Sequence, residues 1–280
     1  MAIRIITDST SDIPVENQAA LGIDIVPLSV IFGEKKYTDG VELKKEQFYG
    51  MLSNAATLPT TSQVNPDEFE VLFKSYIDAG DTVIGIFISS KLSGTYQSAV
   101  IAKDALGSDQ IFIVDSKSAT FGLALLVYEA IKMRDRGDSA AQIYAALNEL
   151  SGRIKFYAVV NTLKYLKMGG RLSSSAAILG GVLHIKPLVS VIDGEVRSVA
   201  KERGQKAAFA WISDKMKIDA PDMQYPFVLG HSNDPGIMQE FLTHITAEVK
   251  TASPIVCEIG CVIGTHAGPG CVGLAYIPQQ

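Results

Sequence analysis

The sequence lacks three features, each of which would have assigned it to a class of protein. No uninterrupted apolar run reaches the roughly 18 residues that a membrane-spanning helix requires, so no integral membrane segment is expected. Cysteine occurs only at Cys257, Cys261 and Cys271, and an odd number confined to one end excludes a disulfide framework. Positive charge is not in excess. The net charge of −5 argues against broad binding to nucleic acid or to an anionic membrane.

The composition does contain enough apolar material for a folded core. Hydrophobic residues make up 47% of the 280 positions and charged residues 20%, which excludes a disordered chain and allows one large domain or two ordinary ones. The N-terminal residues 3–7 form a strand-like pattern at once, without the long apolar core and cleavage site of a signal peptide. We therefore expect a cytoplasmic protein.

Short β-rich runs alternate with helical patterns along the first half of the chain. Residues 3–7, 82–88 and 110–114 have the pattern of strands, and a helical pattern follows the second and third of them. This alternation predicts an α/β fold in which a largely parallel sheet is covered by helices. Ligands bind to such sheets outside the carboxyl ends of the strands.

The second half has a different pattern, and we place a domain boundary near residue 155, between domains 1–155 and 156–280. Asp193-Gly194 between two β-rich runs is a strong hairpin signal. Residues 163–166 predict a short helix that ends at Gly169-Gly170, and residues 174–183 predict a helix of small residues. Three further predictions concern local structure: Asp12 as the N-cap of an early helix, residues 23–32 as one extended run, and residues 254–263 as one strand.

Three turns rich in hydroxyl groups or glycine each suit the binding of an anion. They are Thr60-Thr61-Ser62-Gln63, the segment 89–95, and Gly264-Thr265-His266-Ala267-Gly268-Pro269-Gly270. Glycine lets the backbone approach a ligand closely. A histidine held there can donate a hydrogen bond to an anion or move a proton near neutral pH. We expect the three turns to converge on one anionic head group.

Ser93-Gly94-Thr95 lies where a strand is predicted to lead into a helix. The free N–H groups and positive dipole end of a first helical turn bind phosphate or carboxylate. Two alternatives remain open: Ser93 serves only as a helix N-cap, and the loop around Thr61 and Ser62 is an ordinary solvated loop. The segment is not a phosphate-binding Walker loop, because the required spacing of glycine and lysine is absent.

Arg171 follows two glycines at the predicted end of a short helix, close to Lys167 and Lys164. A guanidinium group binds carboxylate or phosphate through two parallel hydrogen bonds, so Arg171 is a candidate anion-binding residue. The alternative is a surface salt bridge.

Two other kinds of site deserve comparison with an anion site. His266 and the three cysteines are residue types that bind zinc, although their spacing lacks the usual pairs of closely spaced ligands. A serine esterase or thioesterase would pair Ser93 with His266 and an aspartate such as Asp115. The chain has no G-x-S-x-G motif, but a triad is defined by geometry.

Taken together, five segments make the chain resemble the DegV family of fatty-acid-binding proteins. They occur in the family's order and extend from one end of the chain to the other. The segments are Asp8-Ser9-Thr10-Ser11-Asp12, Thr61-Ser62-Gln63, residues 89–96, residues 163–171 and residues 263–270.

The resemblance implies two α/β domains: an N-terminal three-layer α/β/α domain with a mainly parallel sheet, and a C-terminal lipid-tunnel domain with a mixed sheet. It also implies that a long-chain fatty acid binds at the domain interface. Its carboxylate would be held by Thr61, Ser62, Ser93 and Gly94, with His266 nearby. The fatty acid is the ligand, and neither a cofactor nor a metal is implied.

The resemblance further implies a non-catalytic carrier that presents the fatty acid to a separate fatty acid kinase. The kinase would make an acyl phosphate for phospholipid synthesis, with His266 assisting the phosphoryl transfer. Arg171 and Lys167 would contact the phosphate or the kinase.

Binding of an acyl chain places a physical demand on the protein. Each buried CH2 contributes about 0.8 kcal/mol, so about 14 of them contribute roughly 11 kcal/mol before entropy losses. That requires a closed apolar tunnel, for which residues 176–183 and 188–192 are candidates. The alternative is that these residues form ordinary core.

Overall fold

A computed structural model of the chain describes residues 2–173 and 184–280. The strands are β1 (Ile3–Asp8), β2 (Ile23–Val26), β3 (Ser29–Phe32), β4 (Lys35–Thr38), β5 (Thr60–Ser62), β6 (Thr82–Phe87), β7 (Ile111–Asp115), β8 (Lys155–Val159), β9 (Ile185–Ile192), β10 (Glu195–Arg203), β11 (Phe227–His231), β12 (Pro254–Glu258) and β13 (Val272–Tyr276). The helices are α1 (Gln18–Leu21), α2 (Lys45–Asn54), α3 (Pro66–Asp78), α4 (Thr95–Leu106), α5 (Thr120–Arg136), α6 (Ala140–Ser151), α7 (Lys164–Met168), α8 (Gln205–Ile218), α9 (Pro235–Glu248) and α10 (Cys261–Ala267).

The first sheet is parallel throughout, in the order β2-β1-β6-β7. Its central strand β6 is buried along its whole length. Successive side chains of a strand point to opposite faces. Val83 and Phe87 accordingly join the core beneath α3 and α4, whereas Ile84 and Ile86 join the core beneath α5 and α6. The predicted parallel sheet covered by helices is confirmed.

The second sheet is mixed, in the order β10-β9-β8-β13-β11-β12. One face packs on α8 and α9, while the other face packs on α5, which therefore lies between the two sheets. The Phe121 ring of α5 stacks on Phe156 of β8, with centroids 5.5 Å apart and planes at 11°. The same ring sits over Gly230 of β11, where a Cβ would come within 2.4 Å of Phe121 Cε1. The two sheets thus share one helix in their common core.

Two local predictions in the second half are confirmed. Asp193 and Gly194 link β9 to β10 as a hairpin, with φ values of 53° and 83° that suit the Asp-Gly pair. Helix α7 ends at Met168 and is capped by Gly169, at the Gly169-Gly170 pair that was predicted to end it. The predicted helix over residues 174–183 lies outside the described residues, as does the tunnel lining predicted for residues 176–183.

A small antiparallel sheet in the first half combines β5 with the hairpin of β3 and β4, which turns at residues 33–34. Residues 23–32 form two strands rather than one run, because β2 belongs to the parallel sheet and β3 to a separate sheet of order β4-β3-β5. The segment predicted as a loop at residues 60–63 contains β5, whose Thr61 pairs with Val30. Thr61 is therefore held by a sheet.

The prediction of one strand over residues 254–263 was wrong. Strand β12 ends at Glu258, and α10 begins at Cys261, so His266 lies in the last turn of a helix. The amides at the start of α10 donate to two aspartates that are distant in the sequence. Gly260 N–H donates to Asp12 Oδ1 at 2.8 Å, and Cys261 N–H donates to Asp39 Oδ1 at 3.2 Å.

Asp12 has a different role from the predicted N-cap of an early helix. It has a left-handed φ of 56° and follows a short 3-10 turn over Ser9–Ser11, which Asp8 caps by accepting from Thr10 N–H. Burial raises the pKa of Asp12 to about 7 from an ordinary 3.8, and the nearby Asp39 carboxylate also raises it. Thr120, Lys45 and the Gly260 amide act in the opposite direction.

This raised pKa predicts that Asp12→Asn stabilises the protein selectively at high pH. A raised folded-state pKa contributes stability that is present below pH 3.8 and is lost as the pH rises through about 7. Asparagine is neutral and keeps the oxygen that accepts from Gly260. Urea unfolding at pH 5 and at pH 8 measures the free energy of unfolding of both proteins. We expect the difference between variant and wild type to be more favourable to the variant at pH 8 than at pH 5, by on the order of 1–3 kcal/mol. An identical difference at both pH values would contradict the prediction.

The zinc hypothesis receives no support from the structure. Cys257 lies on β12 and Cys261 on α10, and all three cysteines are free and buried. No group of three potential metal ligands occurs among residues 2–173 and 184–280. Within the same ranges, no helix has the length and apolar character needed to cross a membrane.

Candidate functional site

A cavity of about 300 Å³ lies between the parallel sheet and the mixed sheet. Phe156, Ala158 and Val160 alternate along β8 and its end, so they project from one face and form part of the cavity wall. Val189 and Val191 of β9 continue the same wall. Most of the remaining lining is also apolar, which suits a hydrocarbon chain.

Polar groups are concentrated among the residues predicted to bind an anion. Thr61, Ser62, Ser93, Gly94 and His266 all line this one cavity, although they come from β5, the loop after β6, and α10. The expected convergence of the three segments is therefore seen in the geometry. That they bind a ligand stays a prediction.

His266 is held as a neutral imidazole. Its Nε2 lies 3.0 Å from the Thr61 hydroxyl oxygen, while its buried Nδ1 has no hydrogen-bond partner among residues 2–173 and 184–280. Burial, and then the positive charge of Arg171, lowers the pKa of His266 to about 4. The ring also packs tightly on Gly169, where a Cβ would come within 2.2 Å of Nδ1. The imidazole is therefore uncharged at neutral pH and suits hydrogen bonding better than proton transfer.

The two readings of Ser93 are compatible in this structure. Its hydroxyl lies 3.0 Å from the Thr95 hydroxyl and accepts from Thr95 N–H at 3.3 Å, so it supports the start of α4. The same side chain lines the cavity. Position 94 requires glycine because the Gln63 side chain packs against it, and a Cβ there would lie 2.0 Å from Gln63 Oε1. The β5 segment and the start of α4 can therefore approach each other closely at the cavity.

Arg171 is folded into the protein instead of forming a surface ion pair. Its Nε donates to the Leu92 carbonyl at 3.0 Å, and Nη1 donates to the Gly169 carbonyl at 2.8 Å. No carboxylate among the described residues forms a salt bridge with it. The guanidinium lines the cavity with its charge uncompensated, which favours an anion there. Lys167, in contrast, is exposed on α7 and does not line the cavity.

A second cavity of about 440 Å³ adjoins the polar end of the first. Both are lined by Thr61, Arg171 and His266, so these three residues lie between them. The outer cavity is otherwise lined by the loop 55–60 and by α7, including the exposed residues Lys164 and Met168. A head group at Thr61 would therefore be accessible from the outer cavity.

The residues proposed for a hydrolase triad are not arranged as one. Ser93 pairs with Thr95, and His266 Nε2 pairs with Thr61. Within the part of the chain that the structure describes, His266 Nδ1 has no acceptor, so no carboxylate there orients the imidazole as a triad requires. Asp115 instead accepts from the amides of Ser90 and Lys117.

Similarity to known proteins extends over the whole chain. A family model described as "Uncharacterised protein, DegV family" matches residues 2–279. This chain belongs to the DegV family. The resemblance carried by five sequence segments is thereby confirmed.

Curated DegV proteins and solved DegV structures align with nearly the whole of this chain. A DegV domain-containing protein of Caldanaerobacter subterraneus subsp. tengcongensis is 40% identical over 98% of both chains. A fatty-acid-binding DegV structure from Thermus thermophilus aligns over 100% of both chains with 29% identity and a TM-score of 0.92. The structure of DegV from Bacillus subtilis, described as a fatty acid binding protein, gives 30% identity, 100% coverage of both chains and a TM-score of 0.86.

Sequence reasoning missed several residues that shape the cavity of this DegV protein. Phe121 and Phe156 form its stacked aromatic wall, and Thr120 lines it at the start of α5. The alternating apolar residues of β8 were a usable signal for one wall. Nothing local indicated that α5 would face the cavity, because that helix is buried on nearly all sides.

Proposed function

We propose that this DegV protein binds one long-chain fatty acid and presents it to a separate fatty acid kinase for acyl-phosphate formation. The observation that carries the proposal is an apolar cavity lined at one region by hydroxyl groups and an uncompensated arginine. DegV structures at 29% and 30% identity are described as fatty-acid-binding. The acyl chain would occupy the cavity between two domains that divide near residue 155.

The carboxylate would be bound by Thr61, Ser62, Ser93 and Gly94. Hydroxyl groups and a backbone amide at the start of α4 supply donors, and the positive end of that helix favours the negative charge. His266, neutral and 3.0 Å from Thr61, would fix the direction of the Thr61 hydroxyl. Hydroxyl and amide donors would then hold the head group, and one carboxylate oxygen would remain free to act as a nucleophile.

The outer cavity is the proposed route for phosphoryl transfer. A carboxylate oxygen would attack the terminal phosphorus of ATP held by the kinase, with ADP leaving and the acyl phosphate remaining on the DegV protein. Arg171 would stabilise the phosphoryl charge from between the two cavities, and Lys167 and Lys164 would face the partner. In this proposal the protein is a cytoplasmic carrier without turnover of its own, and the product supplies phospholipid synthesis.

The head-group assignment predicts that Ser93→Ala weakens fatty-acid binding about 10- to 100-fold, as expected for loss of a hydrogen bond to a charged group. Titration of delipidated protein with palmitate measures the effect. Ser75→Ala is the matched control, because Ser75 is exposed on α3 and its hydroxyl only bonds the Leu72 carbonyl. Equal affinity of Ser93→Ala and wild type would contradict the assignment.

The variant His266→Ala distinguishes fatty-acid binding from presentation of the fatty acid to the kinase. We expect it to reduce acyl-phosphate formation by a fatty acid kinase with ATP more than it reduces palmitate affinity. The esterase alternative predicts instead that the wild type releases product from a chromogenic acyl ester and that Ser93→Ala abolishes this release.

A further inference from the structure

Two buried carboxyl groups support helix α10 from a part of the chain that is distant in sequence. Asp12 and Asp39 are 4% and 3% exposed, and neither lines the acyl cavity. They accept hydrogen bonds from the amides of Gly260 and Cys261 at the start of α10. Within residues 2–173 and 184–280, neither carboxyl group forms a salt bridge. Burial of a carboxyl group is costly, so this placement requires an explanation.

The start of α10 is held on several sides by residues from the first half of the chain. A Cβ at Gly260 would lie 3.0 Å from Asp12 Oδ1 and 3.7 Å from both carboxyl oxygens of Asp39. The Tyr49 hydroxyl donates to the Ile259 carbonyl at 3.0 Å. A helix that is held this closely at its first residues cannot shift or tilt without losing hydrogen bonds.

The other end of α10 carries His266. This residue lies in the last turn of the helix, and its position along the helix axis is about 7.5 Å from that of Cys261. Among the described residues, the Thr61 hydroxyl is the only hydrogen-bond partner of the imidazole. A helix of seven residues moves as one unit, so a displacement at its start changes the distance between His266 and Thr61.

We propose that Asp39 is a positioning residue for the fatty-acid head group, which acts with Asp12 by holding α10 where His266 meets Thr61. Because Asp39 does not line the acyl cavity, its effect on binding is transmitted by the helix. Removal of its carboxyl group would leave the Cys261 amide without this acceptor and would free the start of α10 to move. The inference rests on the proposed fatty-acid binding and adds a determinant of head-group geometry outside the cavity.

A double-mutant cycle on palmitate affinity tests whether Asp39 acts through His266. In the delipidated full-length protein, we expect Asp39→Ala to weaken palmitate binding about 3- to 10-fold, as the weakening of one hydrogen bond allows. In a His266→Ala background, the same substitution should weaken binding less than about twofold, because the group that Asp39 positions is absent. Asp39→Asn should stay within about twofold of the wild type, since its amide oxygen can still accept from Cys261 N–H.

Asp81→Ala is the matched control for the loss of a buried carboxyl group. Asp81 is 6% exposed and accepts hydrogen bonds from Ala2 N–H and from Arg4 Nε. It lies at the amino ends of β1 and β6, whereas the loop that carries Ser93 follows the carboxyl end of β6. Asp81→Ala should therefore leave palmitate affinity unchanged in both backgrounds, even where it lowers stability.

The outcomes distinguish the positioning role from the proposed function. Equal losses of affinity on Asp39→Ala in the two backgrounds, or an asparagine variant as weak as the alanine variant, would overturn the positioning role. If Asp39→Ala does not fold, Gly260→Ala replaces it in the cycle, because the added methyl group presses on both carboxyl groups. An effect of Gly260→Ala that is independent of His266 would also overturn the role. A wild-type protein that binds no palmitate would overturn the proposed function, and the positioning role with it.

Discussion

Ala158→Phe is expected to weaken fatty-acid binding strongly while leaving the protein folded. Ala158 is 2% exposed and projects from β8 into the cavity, so a benzyl group placed there fills the space of the acyl chain. Exclusion of about four methylenes, each contributing about 0.8 kcal/mol, weakens binding by roughly 100-fold or more. Palmitate titration of the delipidated variant measures the loss.

Stability distinguishes this prediction from simple misfolding. The ring occupies a cavity of about 300 Å³, so the unfolding temperature should remain unchanged or rise. Ala145→Phe on the exposed face of α6 is the matched control and should bind palmitate normally. A folded Ala158→Phe protein with wild-type affinity would show that the acyl chain binds elsewhere.

Gly230→Ala is expected to destabilise the protein by about 2–3 kcal/mol, the range for overpacking a rigid core. The added Cβ would lie 2.4 Å from Phe121 Cε1 and 2.6 Å from the Cys257 carbonyl oxygen. The carbonyl belongs to the neighbouring strand β12 and cannot move without disturbing the sheet. Urea unfolding measures the change in free energy.

The control for this substitution is another glycine-to-alanine change in a different environment. Gly50 is exposed within α2, and no atom of the described residues lies within 4 Å of the position that its Cβ would take. Alanine at that helix position should stabilise the protein by about 0.5–1 kcal/mol. If both variants change stability in the same direction, the close packing of Phe121 on Gly230 does not explain why position 230 requires glycine.

The parts of the fold that were predictable have local causes. Asp193-Gly194 adopts positive φ values that this pair tolerates, and a hairpin follows from that alone. The buried strand β6 is a short apolar run followed by a Ser-rich turn, as expected at the carboxyl end of a parallel strand. The convergence of Thr61, Ser93 and His266 was expected because each lies in a turn rich in hydroxyl groups or glycine that suits an anion, although residue types alone do not fix a distance.

Helix α10 was missed because its determinants are not local. The helix is buried on most sides, so residues 259–263 form a continuous apolar run that also suits a strand. Its first amides are capped by Asp12 and Asp39, which are 248 and 222 positions away from the residues they bind. A capping signal in the adjacent sequence is therefore absent.

Strand β5 was missed for a related reason. Thr60-Thr61-Ser62 lies between prolines and contains no apolar residue, which is typical of a loop. It becomes a strand only because β3 offers an edge for pairing. The consequence for function is direct, since the sheet fixes Thr61 at 3.0 Å from His266.

Mass spectrometry of the purified protein, first under native conditions and then after organic extraction, tests fatty-acid binding most directly. We expect one long-chain fatty acid per protein molecule, retained in the native spectrum and released on denaturation. Its length and degree of unsaturation would also report on the length and shape of the cavity. A protein that carries no lipid, and takes up none when palmitate is offered, would contradict the proposed function.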